Sequence, residues 1–363
     1  MKRGILFICV LFLLVGMTAC RKEAANTGIQ TNTPVKLGLY ESISEHGQRV
    51  LMGVTKLGNK PVDYKLIFDT GSGGMVLDAH DILPAAMITS SGFSFQGDSA
   101  VVNGITITNK QAVVQYGNDK SSVIKVYGNL AYASVTIGAY DGSVVIKRLP
   151  FFMYYKSVDA KGNQAPDHEY DVLGVSSGYG VKFSNGEYIT SPFSYYNPGN
   201  GLTSGFKIAN LSKSFFKTHG VYMAGVVTVG LSKGDLESSG FTMTQLYSSG
   251  SNGYLPYVRS KITYMNKIVV TNVIFDTGTQ PYSYIQDGTA LQSLSALPQN
   301  SQVSVVLDSG YSYEYTTGSD ANLTNVVNPD SSGAWVSIIG LDFFFRSEYL
   351  IDFTNHRIGL KND

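Results

Sequence analysis

A chain of 363 residues, 43% of them hydrophobic, can bury a large core without disulfides or metals. Lys plus Arg and Asp plus Glu total 27 each, so there is no net basic field to neutralise a phosphate backbone, and nucleic acid is not an expected partner. With only 15% charged residues but 39 Gly, 24 Tyr and 18 Phe, the composition favours short strands and tight turns over charge-laced helices, and the class expected is all-β with a few short helices.

In chain order, Lys2 and Arg3 precede an apolar stretch from Ile5 to Val15 that is too short to span a bilayer, which makes residues 1–19 a signal peptide. The following Gly16-Met17-Thr18-Ala19-Cys20 resembles the lipobox of bacterial lipoproteins, in which the cysteine is acylated and becomes the first mature residue. The resemblance implies lipidation at Cys20 and an extracytoplasmic body anchored to a bacterial membrane, at the periplasmic face or the cell surface. The alternative is an ordinary secretory signal cleaved after Ala19. Cys9, the other cysteine, lies inside the signal, so the exported chain is expected to carry no disulfide. Residues 20–36 are polar and aperiodic, as a flexible tether would be.

Beyond the tether the sequence reads as short β-type runs: Arg49 to Leu57, Tyr64 to Phe68, Ala100 to Thr108, Gln111 to Tyr116, Ser134 to Ile137, Ser143 to Ile146, Val226 to Val229, Ser260 to Met265, Ile268 to Phe275, Gln302 to Leu307 and Ser347 to Ile351. Helical candidates are Leu211 to His219 and Ala290 to Leu297. The stretch from Tyr179 to Lys207, rich in Gly, Ser, Tyr, Asn and Pro, reads as the connection between two halves.

An internal echo organises the chain. Leu66-Ile67-Phe68-Asp69-Thr70-Gly71-Ser72 returns as Val273-Ile274-Phe275-Asp276-Thr277-Gly278-Thr279, and each copy is followed by an apolar-apolar-Gly triplet, Val172-Leu173-Gly174 and then Ile338-Ile339-Gly340. The expected division is a lobe at 37–205 and a second at 206–363. A carboxylate at the end of an apolar strand is costly to ionise, so it needs donors. Gly71 and Gly278 let the backbone turn closely and aim an N–H at the carboxylate, while Ser72 and Thr279 offer hydroxyls. Two such turns brought together would place Asp69 and Asp276 within hydrogen-bond reach, where they share one proton and can activate a water while polarising a peptide carbonyl.

These motifs are similar to those of the pepsin family of aspartic proteases. Phe68-Asp69-Thr70-Gly71-Ser72 resembles the amino-lobe motif, and Phe275-Asp276-Thr277-Gly278-Thr279 the carboxy-lobe motif. The run from Ile338 to Leu360 is similar to the family's last strands, and Gly53 to Pro61 resembles the strand pair before its first catalytic Asp. The resemblance implies a bilobal acid-protease fold with the cleft between the lobes, Asp69 and Asp276 as catalytic residues, protein or peptide substrates, a monomer, and no cofactor or metal. It also implies a flap with a Tyr-Gly pair, best matched by Tyr116-Gly117, with Tyr127 as a rival because Gly128 follows it. Where the family usually has a Trp buttressing the flap Tyr, this chain reads Gly73-Gly74-Met75-Val76-Leu77, so flap support must differ. The second half is shorter than the first between motif and triplet, and no basic pro-segment precedes the first strand.

The sequence also admits other chemistries. Gly174-Val175-Ser176-Ser177-Gly178 fits a nucleophile elbow, with Ser176 as nucleophile and His219 or His356 as base. His46, His80, His168, His219 and His356 form no pair at metal-ligand spacing and read as surface residues. A third reading keeps the fold and loses the activity, leaving a binding protein.

Overall fold

The computed structural model describes residues 33–44, 47–117, 123–213, 220–291, 295–332 and 335–363. Cys20, the signal and most of the tether therefore lie outside the described residues, as do His46, His219 and positions 118–122. Among the described residues no helix is long and apolar enough to cross a membrane.

The chain is mostly β, in two large sheets. A 14-stranded sheet carries most of the first half, and it is completed at one end by strands of the second half, Tyr222–Leu231, Thr203–Ile208, Ser347–Asp352, Arg357–Asn362 and Thr242–Gln245. Val35–Ser44 joins these to the rest by pairing antiparallel with both Tyr222–Leu231 and Gly47–Leu57. An 8-stranded sheet forms the remainder of the second half.

Both halves use the same local topology around the echoed motif. Lys60–Asp69 runs parallel to Val172–Val175, with Gly174 beside Asp69, and Val172–Val175 runs antiparallel to Gly73–Asp78. In the second half, Lys267–Phe275 runs parallel to Val336–Ile339, which pairs antiparallel with Tyr282–Gln286. The apolar-apolar-Gly triplet is thus the parallel neighbour of each motif strand. Its glycine is required by packing: a Cβ at Gly174 would stand 2.7 Å from Ser72 O, and one at Gly340 2.7 Å from Thr279 O. The inward residues of the motif strands, Leu66, Phe68, Val273 and Phe275, are fully buried. Each such side chain stabilises the fold by about 1.5–3 kcal/mol relative to exposure, so the two turns are held on rigid supports.

Several boundaries differ from the sequence reading. The run Ala100 to Thr108 is two strands, Ser99–Val102 and Ile105–Tyr116, joined by Asn103-Gly104 with φ of 51° and 79°, the left-handed pair that a two-residue hairpin turn demands. Of the helical candidate Ala290 to Leu297, positions 292–294 lie outside the described residues, and Ser295–Ala296 is a short strand on Leu323–Val327, where edge pairing satisfies its backbone. Of the candidate Leu211 to His219, positions 214–219 lie outside the described residues, and the Leu211 N–H donates to Phe344 O. The α-helix at Lys233–Glu237 went unread, although Ser232 and Asp235 form a capping box that marks its start.

Candidate active site

The two Asp-Thr-Gly turns face each other at the junction of the sheets. Asp69 and Asp276 are each 9% exposed, and their carboxyls are in hydrogen-bonding contact. Asp69 Oδ1 accepts the N–H of Gly71 at 2.7 Å and that of Ser72 at 3.2 Å, and its Oδ2 accepts the Ser72 hydroxyl at 2.5 Å. Asp276 Oδ1 accepts the Gly278 N–H at 2.7 Å, and its Oδ2 the Thr279 hydroxyl at 2.5 Å. Burial, then the neighbouring charge of Asp69, then their shared hydrogen bond push the Asp276 carboxyl well above the usual carboxylate range. Three donors thus face Asp69 (Gly71 N–H, Ser72 N–H and Ser72 O–H) and two face Asp276 (Gly278 N–H and Thr279 O–H).

The motif glycines have a second role across the lobes. A Cβ at Gly71 would lie 2.6 Å from Asp276 Cγ, and one at Gly278 would lie 2.9 Å from Asp69 Cγ. Each glycine therefore leaves room for the opposite carboxyl. The threonines between Asp and Gly were not singled out from sequence, and they lock the two turns together. Thr277 Oγ1 donates to Phe68 O at 2.6 Å and accepts the Thr70 N–H at 3.1 Å; Thr70 Oγ1 donates to Phe275 O at 2.8 Å and accepts the Thr277 N–H at 3.0 Å. Both threonines are fully buried. Their place inside a repeated motif was the only sequence signal of this role.

Two clefts flank the dyad. One, of about 430 Å³, runs along the first turn and is lined among others by Ser72, Val76, Tyr116, Tyr179, Leu255 and Tyr257. The other, about 210 Å³, lies just past the second turn and includes Gln48, Gln280, Ser283, Asp320 and Asp342. The Gln48 N–H donates to Gln280 Oε1 at 2.7 Å, tying the two halves beside the second cleft. Burial pulls the Arg49 guanidinium down, while the charges of Asp276, Asp69 and Glu169 pull it back up. Tyr116 lines the larger cleft, and burial followed by the field of Asp69 pushes its phenol up. Gly117 follows it with φ 113°. Tyr127 sits elsewhere on the hairpin, under the Lys156 ammonium at 5.7 Å.

Ser176 is brought close to the first turn, and of its two candidate bases His219 lies outside the described residues. It is buried, its N–H donates to Ser72 O at 2.9 Å, and its Oγ accepts the Gly178 N–H at 3.2 Å. His356 instead stacks on Tyr254, ring centroids 3.5 Å apart. The elbow-like sequence thus packs on the first turn through Ser72, and His356 is engaged elsewhere. His80 and His168 are not free surface residues, as the sequence reading had them. His168 Nδ1 bonds Asp171 Oδ2 at 2.8 Å, its N–H donates to Asp78 Oδ2 at 2.9 Å, and His80 Nδ1 bonds Asp78 Oδ1 at 2.6 Å. The bond to Asp171 raises the His168 imidazole to about 9. Burial raises the Asp171 carboxyl in turn, against the pull of His168 and of the Asp78 N–H, and the geometry of those donors favours an imidazolium–carboxylate pair. Sequence spacing could not bring Asp78 and Asp171 together, since Asp78 ends one strand and Asp171 precedes another.

Among solved structures, the chain is similar to the aspartic proteinase from Irpex lacteus, with 19% identity, 90% of this chain and 96% of that one covered, and a TM-score of 0.55. This is the pepsin-like fold. It is equally similar to basic 7S globulin from soybean, at 13% identity, with 91% of this chain and 96% of that one covered and a TM-score of 0.57. No protein-family profile and no curated protein matches the sequence. At these identities the likeness establishes the pepsin-like architecture, and the chemistry rests on the residues.

Proposed function

We propose that this chain is an aspartic endopeptidase that hydrolyses peptide bonds with Asp69 and Asp276. The observation that carries the reading is the approach of two carboxyls, each fed by its own glycine N–H and its own hydroxyl, between two clefts that begin at the flanking residues. With Asp276 protonated, the pair carries one negative charge. That charge deprotonates a water held between the carboxyls, while the retained proton is given to the scissile carbonyl oxygen. The tetrahedral diol that results collapses as Asp69, now holding the water's proton, protonates the amide nitrogen, the C–N bond breaks and Asp276 takes back one diol hydroxyl proton, which restores the starting pair with no covalent enzyme intermediate. Thr70 and Thr277 hold the two turns in register so that little reorganisation is needed.

The substrate in this reading is an extended protein or peptide lying across both clefts, and the working unit is a monomer. The body is placed outside the cytoplasm on a lipid attached to Cys20. Labelled palmitate retained in a Cys20→Ser variant would overturn that placement. The catalytic reading is tested by incubating purified protein with a denatured protein across acidic to neutral pH, with and without pepstatin. Pepstatin-sensitive fragmentation is the expected result, and intact substrate at every pH would overturn it. A binding function is the second reading, favoured by the likeness to a protein named as a globulin rather than a proteinase. It would show as saturable capture of peptides with no cleavage.

A further inference from the structure

Position 76, close behind the first catalytic turn, holds Val76, 2% exposed, in a small cluster with Val126, Leu130, Phe152 and Tyr154. An aliphatic side chain there cannot present a flat face to a tyrosine ring. The ring of Tyr116 instead lies nearly parallel to that of Tyr170, with centroids 6.4 Å apart and planes at 12°. That separation is within the range over which offset aromatic pairs attract. Both rings pack on the Val76 cluster.

Tyr170 is itself held from several sides. Its N–H donates to the Tyr154 hydroxyl at 3.4 Å. The next residue, Asp171, accepts the N–H of Ile67 on its backbone oxygen at 2.9 Å, which fastens it to the strand that delivers Asp69. The Asp171 side chain accepts the Asp78 N–H at 2.8 Å and bonds His168, whose ring stacks on Tyr64 at 5.4 Å. This hydrogen-bonded clamp, buried at Asp78 and Asp171 and part-buried at His168, lies outside the dyad and has no part in the chemistry described above. It does fix the residue against which Tyr116 rests.

We infer that Tyr170 is a positioning residue: its ring holds Tyr116 over the first catalytic turn, so that the strand carrying Asp69, the Asp171 clamp and the flap tyrosine form one connected unit. The inference rests on the catalytic reading for its kinetic consequence and on the stacked pair for its structural one. The two can be tested apart. Amide exchange at Val113 to Tyr116, where the hairpin pairs Val114 with Val126 and Tyr116 with Ile124, reports the flap strand whether or not the protein is a peptidase.

The experiment compares wild type, Tyr170→Ala and Tyr170→Phe for exchange over Val113–Tyr116 and for kcat/KM on a peptide. Tyr170→Ala should speed exchange there by about tenfold and lower kcat/KM by about tenfold, with the thermal midpoint little changed. Tyr170→Phe, which keeps the ring, should restore both. Should Tyr170→Ala fail to fold, Tyr170→Leu is read the same way, because it keeps apolar bulk and lacks the flat face. Unchanged exchange and kcat/KM in a folded Ala or Leu variant would overturn the inference, and so would a Phe variant as impaired as Ala. If wild type shows no peptidase activity, the catalytic reading fails while the exchange comparison still decides the role of Tyr170.

Discussion

Thr277→Val is the substitution that most sharply probes how the two Asp-Thr-Gly turns are held together. Valine keeps the volume and the β-branch of threonine and removes only Oγ1 and its proton. That oxygen donates to Phe68 O at 2.6 Å and accepts the Thr70 N–H at 3.1 Å, in a site with no solvent access. Its loss leaves one carbonyl and one N–H buried without partners, at about 1–3 kcal/mol each. Partial relaxation of the turns reduces the sum, and the expected loss is about 2–4 kcal/mol, a large share of a typical total of about 5–15 kcal/mol. The mirrored change, Thr70→Val, orphans Phe275 O and the Thr277 N–H and should cost about the same. Urea denaturation followed by circular dichroism measures both, with an unchanged m-value expected. A loss below about 0.5 kcal/mol for either variant would refute the reasoning, since it would mean that the buried backbone groups find other partners.

Two further outcomes follow from the same geometry. Gly71→Ala would place a methyl 2.7 Å from both Asp276 carboxylate oxygens, so it should displace that carboxyl and cut kcat/KM at least about a hundredfold. Circular dichroism should remain that of the wild type, and a fully active variant would contradict the described approach of the lobes. Because the folded-state Asp276 carboxyl is raised, its protonated form favours the fold: this stability is fully present below the unfolded value near about 3.9 and is lost as pH rises through the folded value. Asp276→Asn should remove that slope, so its gain in thermal midpoint over wild type should grow as pH rises from acid; a constant difference would contradict the raised carboxyl.

The parts of the site that could be read from sequence are those made by neighbours along the chain. Asp69 with Gly71 and Ser72, and Asp276 with Gly278 and Thr279, bond within three residues, so the motif itself encodes the contact. The apolar triplets were legible for a related reason, since their glycines answer to the turns they pack on. The all-β class followed from composition and from alternating strands. The threonine lock was not legible because each bond joins residues from opposite halves. Nor was the Tyr116–Tyr170 pair, since nothing in a Tyr-rich sequence marks which two rings meet. At Ser295 and Ala296, part of an expected helix, pairing with Leu323–Val327 overrode local propensity.

The claim at the centre of this account is that Asp69 and Asp276 act as one catalytic unit. Its most direct test is the peptidase rate of purified Asp69→Asn, Asp276→Asn and the double variant beside wild type. Asn keeps the size of the side chain and removes the shared proton, so each single change should abolish hydrolysis, and the double change should cost little more than either one. Folded Asp69→Asn protein that still cleaves peptides at the wild-type rate would contradict the account.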